Sequence, residues 1–487
     1  MYKVSKAELT LIFFLMITMT AGGYYAFDFP QLFEDEIINW FGVTSLEVEW
    51  LYSIYAFPNF FTLLFGTLAF NFIGLGMGIT LTTGFITAGT VITYFAFEDK
   101  SYITLVIARG VYGLGNELAI TAQYTIAERW FAGRMLSFAQ GMCRTVSFLM
   151  TFLSFYLGPQ MLIKTKSMDL PLLIYMIMAI FGFIGSLIYA ILEKIWKNRQ
   201  VKKEAEEAEA KETRSNERSF GKEGDNFTFG MIRYLSPLYW LLSITFGIGS
   251  MCYLMFISFS TDCLVHRFGY SYADAKNYLS FVSIISMFSM PVLSALVGKF
   301  GRKGFVLLSS FVVSITNFSL MLTYPKEPGN YIYVIVVLTS FTYSIFVATV
   351  WPSMTISVPT KATAIALGLA LTMQNICNTL LPSYFGYVTQ PRTPEAYDKA
   401  IFGMLIVSCV AATLAIIVIV VDFRTGQKLN LPDNDKRVLE QREKMGDKLK
   451  LLMKEKKLKS KKGTSNSEYR SIGQTTRKTG DDEIVNQ

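Results

Sequence analysis

The chain has 487 residues, of which 52% are hydrophobic and 17% charged, with a mean hydropathy of +0.37 and a formal net charge of +8. So apolar a balance excludes soluble domains, which must cover a core with polar side chains. The bases gather in one central stretch and one C-terminal tail, both flanked by apolar spans, which assigns the charge to a membrane face and not to a nucleic acid.

Met1 to Ala7 precede a first apolar run of about twenty residues without a small-residue cleavage site, so the run is expected to persist as a helix. A spanning helix needs about twenty apolar residues to cross a core of about 30 Å. Such segments occur at Glu8 to Phe29, Trp50 to Ile73, Leu75 to Phe97, Tyr102 to Ala127, Met135 to Leu157 and Leu170 to Leu192. They recur at Leu238 to Phe259, Tyr278 to Phe300, Gly304 to Tyr324, Tyr331 to Val350, Ala362 to Tyr384 and Ile401 to Val421. The expected fold is an all-α membrane protein of twelve transmembrane helices in two six-helix halves, 1–192 and 237–422. Between them, 193–236 is a charged linker that cannot bury apolar surface, and 423–487 is expected to be a basic, largely disordered tail. Six spans, a linker and six spans is the layout of transporters with a midplane site.

Lys3, Lys6, the linker and the tail fall on one side of an even number of spans, which makes that side cytosolic and places both termini there. The first outward loop carries Glu34, Asp35, Glu36, Glu47 and Glu49 without a base, whereas Lys164 and Lys166 lie in another outward loop, so the rule holds on balance. The five cysteines, Cys143, Cys252, Cys263, Cys377 and Cys409, are scattered and odd in number, and set out neither a disulfide framework nor paired metal-ligand spacing. No cofactor or metal is expected. Nor is an enzyme, because no cluster has triad or metal-site spacing.

Ionisable residues deep in a span are costly unless paired or facing a wet cavity, so the few that occur are the functional candidates. Glu117 and Arg144 lie fourteen and thirteen residues from Phe131, at the turn between spans four and five. At about 1.5 Å per residue, both sit about 20 Å from the turn, near the bilayer middle. An anion and a cation at one depth suit a zwitterion: Arg144 for a carboxylate by a two-pronged hydrogen bond, Glu117 for an ammonium. The same two charges would also serve as a structural pair stapling the helices, and residue types alone leave both readings open.

Several stretches together resemble one family: YYAFDFP (Tyr24 to Pro30), LYSIYAFPN (Leu51 to Asn59), ARGVYGLGNELAITAQ (Ala108 to Gln123), ERWFAGR (Glu128 to Arg134), VWPSMTISVP (Val350 to Pro359) and LTMQN (Leu371 to Asn375). The chain is similar there to the lysosomal dipeptide transporter branch of the major facilitator superfamily, over nearly all of the membrane domain but not the linker or tail. The resemblance implies alternating access, facilitated uniport of dipeptides to the cytosol, and peptide termini bound by Glu117 and Arg144. It also implies a lysosomal membrane and a glycosylated accessory membrane protein as partner; the chain itself has no sequon in a lumenal loop, since Asn226 is in the linker and Asn317 inside a span. A homodimer, a plasma-membrane or other endomembrane location, a carrier for another small organic solute, and a nontransporting receptor or scaffold stay open at this point.

Further candidates for the substrate site are Arg109, about 12 Å to the lumenal side of Glu117, and Asp28 with Tyr25 at the end of span one. Gln374 and Asn375, near mid-depth in span eleven, complete the set. Each has a bland alternative: lumenal snorkelling for Arg109, interfacial water for Asp28, helix–helix bonding for the amides. The loop GKFGRKG, with Gly298, Lys299, Gly301 and Arg302, resembles the family's gating loop. Its counterpart from Gly66 to Gly74 keeps the glycines but has no charge, so gating is expected to rely on other contacts. Trp351 and Pro352 read as a cytosolic interface anchor and helix end, and the sole histidine, His266, as solvated in a lumenal loop. No Glu-x-x-Glu-Arg signature of proton-coupled peptide carriers occurs in span one. In the tail, Asp447 with Leu451 and Leu452, and Tyr469 to Ile472, read as sorting signals.

Overall fold

The computed structural model describes residues 5–212 except 134, Ile232, and 235–448 except 390. No strand occurs among them. Lipid cannot hydrogen-bond a bare backbone, so each spanning segment satisfies its own N–H and C=O groups as a helix. The helices are α1 (Lys6–Thr18), α2 (Ala21–Phe27), α3 (Phe29–Leu32), α4 (Glu34–Phe41), α5 (Ser45–Ala56), α6 (Asn59–Ile73), α7 (Leu75–Glu98), α8 (Tyr102–Phe131), α9 (Leu136–Thr165) and α10 (Asp169–Glu212) in the first half. The second half holds α11 (Pro237–His266), α12 (Tyr272–Phe300), α13 (Lys303–Thr323), α14 (Ile332–Ile356), α15 (Thr363–Thr389) and α16 (Pro394–Arg424). Eleven stretches among the described residues are long and apolar enough to cross a membrane, and α15 stands where span eleven is expected.

Spans one and two are each broken. α1 gives way to α2 at Met19 and Thr20, before a Gly-Gly pair, and α5 to α6 at Phe57 and Pro58, where proline has no N–H to continue the ladder. The first outward loop is itself helical: α4 follows α3, Thr44 and Glu47 form a reciprocal cap on α5, and Trp40 Nε1 donates to Phe97 O at 2.9 Å.

One apolar core fills the first half, and a second fills the other half and takes in Leu63, Tyr124, Leu136 and Phe148 of the first across the seam; hydroxyls tie neighbouring helices within each half. Thr83 and Ser186 join α7 to α10 at 2.7 Å, Ser314 and Ser408 join α13 to α16 at 2.8 Å, and Asn317 donates to Thr339 at 3.0 Å. Such bonds contribute about 0.6 kcal/mol each in a membrane interior. Between the halves, backbones approach where side chains are smallest. A Cβ on Gly141 of α9 would fall 2.3 Å from Ser294 Cβ of α12, and one on Gly368 of α15 would fall 2.7 Å from Leu63 O of α6.

The structure adds detail at three places. Past the apolar span that ends at 192, α10 runs on to Glu212 through the KKEAEEAEAKE stretch, whose residues are mostly strong helix formers, so the charged linker begins as helix. The start of the tail is ordered: a 3-10 turn at Lys428–Asn430 leads to a helix over 436–448 that packs on the membrane domain. His266 is no free loop residue; it ends α11, with its ring stacked parallel to Tyr397 at 6.0 Å. The sorting-signal residues Leu451, Leu452 and Tyr469 lie outside the described residues.

Candidate functional site

α8 and α9 form the hairpin that carries Glu117 and Arg144, and both charges turn toward the opposite half. The Arg144 guanidinium donates from Nη2 to Tyr343 Oη on α14 at 2.5 Å and from Nη1 to Tyr24 Oη on α2 at 3.3 Å. It is also packed among the rings of Tyr24, Phe148 and Tyr343, 5.1 to 5.5 Å from their centroids. Tyr343 is held in turn by face-to-face stacking on Tyr253 of α11, centroids 3.9 Å apart. Glu117 accepts from Tyr55 Oη at 3.4 Å and, across the seam, from Asn375 Nδ2 of α15 at 3.5 Å. Asn116 Nδ2 donates to Tyr55 Oη at 3.0 Å and so orients the hydroxyl toward the carboxylate.

Among the described residues Glu117 and Arg144 form no ion pair with each other in this arrangement. Each charge instead has long or neutral partners. Arg144 Nε finds no acceptor among the described residues, and both bonds to Glu117 are near the upper limit of hydrogen-bond length. A carboxylate and an ammonium would outcompete such partners by charge assistance.

Below the charges, toward the side that bears the tail, the seam is closed. Tyr124 of α8 stacks on Trp351 of α14 with centroids 4.2 Å apart and planes 4° from parallel. Gln140 Nε2 of α9 donates to Thr355 Oγ1 of α14 at 3.1 Å. Trp351 is therefore a seam residue and not an interface anchor: α14 continues through Pro352 to Ile356, and the indole is buried.

The Major Facilitator Superfamily model matches residues 10–382. The chain belongs to this superfamily. Among curated relatives, the lysosomal dipeptide transporter MFSD1 of Danio rerio is 23% identical over 432 residues, covering 86% of this chain and 88% of the relative. The protein of the same name from Homo sapiens is 22% identical over 439 residues, covering 87% and 88%. Two solved structures share the fold. The proton:xylose symporter XylE has a TM-score of 0.63 at 15% identity, covering 85% of this chain and 95% of that one, and the E. coli fucose:proton symporter FucP has 0.62 at 13%, covering 85% and 98%. The protein is thus a multi-pass membrane transporter of the superfamily and not an enzyme.

Within this family frame, the other predicted site residues divide. Asn375 reaches Glu117, while Gln374 is half-buried beside it on α15. Tyr25 does not reach the seam. Adjacent residues on a helix point about 100° apart, so Tyr24 meets Arg144 while Tyr25 turns into the first-half core against Tyr175, centroids 5.0 Å apart. Arg109 is also internal to the first half. It is 3% exposed, donates to Phe27 O at 3.0 Å and Ala26 O at 3.5 Å, and lies among Tyr52, Tyr55 and Tyr112. There it closes the C-terminal end of α2, as cations do at helix ends. Asp28, half-buried, stands where α2 gives way to α3.

In the gating loops, Gly66 lies against Leu118, where any side chain would collide, and Gly74 turns the chain from α6 to α7 at φ +85°. In the second loop Lys299 rests over Phe300, while Gly298, Gly301 and Arg302 are engaged by the ordered start of the tail. Tyr24, Tyr55, Tyr343 and Tyr253 were not singled out from the sequence. An aromatic inside an apolar span carries no mark of its cross-seam partner.

Proposed function

We propose that the protein moves dipeptides from a lysosomal lumen to the cytosol by alternating access, as an uncoupled uniporter. Glu117 holds the free amino terminus and Arg144 the carboxylate. The observation that carries this reading is that the two opposite charges, on adjacent helices of one half, bond to the other half across the seam and not to each other. A zwitterion seated between them would exchange the Asn375 and Tyr343 contacts for charged ones, so binding bears directly on how the halves are joined. The relatives named lysosomal dipeptide transporters support the substrate class and the compartment, as does the resemblance in the spans that carry the two charges.

The test is uptake of a radiolabelled dipeptide into proteoliposomes. Glu117→Gln and Arg144→Gln are expected each to reduce uptake at least about tenfold, because a charged hydrogen bond is worth about 1.5–3 kcal/mol. Unchanged flux and affinity in both would overturn the site. Parent uptake is expected to run down its concentration gradient with no imposed proton gradient; strict dependence on one would replace uniport with symport. An accessory glycoprotein is proposed as partner, to be sought by co-purification from lysosomal membranes.

A further inference from the structure

The chain's own tail reaches back and fastens one half to the other. Arg442, on the helix over 436–448, is 2% exposed although it lies 45 residues from the C-terminus in a stretch rich in charge. Its guanidinium is fully engaged: Nη1 with Glu128 Oε1 at 2.6 Å, Nη2 with Thr363 Oγ1 at 3.1 Å, and Nε with Val358 O at 2.9 Å. Glu128 belongs to α8 of the first half, whereas Val358 and Thr363 belong to the second.

Asp433 repeats the pattern a few residues earlier. Its carboxylate accepts from Ser137 N at 2.6 Å and Ser137 Oγ at 3.1 Å, at the N-terminus of α9 in the first half, and meets Lys303 Nζ of the second half at 3.1 Å. Lys303 also donates to Leu431 O at 3.1 Å, Asp433 N donates to Gly298 O at 2.9 Å, and Arg302 N to Asn430 O at 3.3 Å. Leu439 covers Gly133, and a small cavity lined by Ala132, Gly133, Leu136, Lys303, Asp433 and Arg442 lies under the segment. Glu128, Lys303, Asp433 and Arg442 are all buried, and a buried pair left with one member is strongly destabilising.

We propose that residues 428–442 are a strap carried by the second half that holds the cytosolic side of the seam shut, and that its release from Glu128, Ser137 and Gly133 is an obligatory step of cytosolic opening. The reasoning is geometric. Contacts to Gly298, Arg302, Lys303, Val358 and Thr363 travel with the second half. Those to Glu128, Ser137 and Gly133 must break when the halves part. The strap also answers the missing charges of the loop at Gly66 to Gly74, since it brings an acid and a base of its own to the cytosolic ends of α8 and α9.

The test uses the full chain in nanodiscs, with Cys377→Ser and Cys409→Ser, and Gln140→Cys as reporter in the closed part of the seam. Labelling by a membrane-impermeant maleimide requires no substrate, so its result is independent of the dipeptide reading. Arg442→Gln and Glu128→Gln are expected to raise the labelling rate about tenfold or more, with thermal unfolding still cooperative. Parent-like rates in both would overturn the strap. A second arm covers misfolding: Ala132→Cys with Leu439→Cys, both lining the cavity beneath the strap, joined under oxidation. With Gln140→Cys present, the oxidised pair should leave the reporter unlabelled under every ligand condition, and reductant should restore the labelling that a cytosol-open population allows. Equal labelling of oxidised and reduced protein would show that opening proceeds with the strap in place, and the proposal would fail.

Discussion

At the scale of single residues, the two charges make separable demands on a ligand. If Glu117 holds an ammonium, a parent protein should bind a free dipeptide about 10–100-fold tighter than its N-acetyl derivative, since that range corresponds to the loss of one charged hydrogen bond. Glu117→Gln should abolish that preference while keeping the preference for the free acid over the C-terminal amide. Arg144→Gln should do the reverse. Thermal-shift titration with the three peptides reads both, and identical losses across the panel in both variants would contradict the assignment of ends. The two charges were legible because an ionisable side chain at mid-depth is rare and its height follows from counting turns. Their partners were not, because Tyr343 lies 199 residues from Arg144 and Asn375 258 residues from Glu117. Tyr24 and Tyr25 could not be told apart by periodicity, because the break at Thr20 resets the helical phase.

Among helices, what matters is how closely α9 and α12 meet. Gly141 permits a contact that any side chain would prevent, and it lies on the cytosolic side of Arg144, where closure is made. Gly141→Leu should therefore wedge the cytosolic ends apart, at a cost to the closed arrangement of about 1–3 kcal/mol by analogy with overpacked cores. Spin labels on the cytosolic ends of α9 and α12 should show the longer distance gaining population by about 5–150-fold; an unchanged distribution would mean that the contact does not limit closure. The positions of the apolar spans were readable from run length, but not the breaks at Thr20 and Pro58 that divide the first two. The continuation of α14 past Pro352 was not, because a proline late in a run reads as a terminus while neighbouring helices can re-satisfy the freed carbonyl. Hence Trp351 was assigned to the interface instead of the seam.

For the whole molecule, the two halves are joined at the level of the charges and on the cytosolic side by contacts of different kinds: a ring stack, amide and hydroxyl bonds, and the strap's buried ion pairs. Composition hid the strap. A polar, basic segment reads as solvated tail, and nothing in its sequence marks Asp433 and Arg442 as buried while Arg437, five residues before Arg442, pairs locally with Asp435 at the surface. Burial of such charges is decided by where Glu128, Ser137 and Lys303 are brought together, which is a property of the assembled fold.

The stack of Tyr124 on Trp351 gives the molecule an optical gauge of its own state. An indole pressed flat against a phenol in a dry seam emits differently from one bathed in water, and of the six tryptophans this one sits on the parting line. Spectra of the parent minus those of Trp351→Phe should isolate a component that moves to longer wavelength whenever the cytosolic mouth admits solvent, allowing turnover to be followed without attaching any dye.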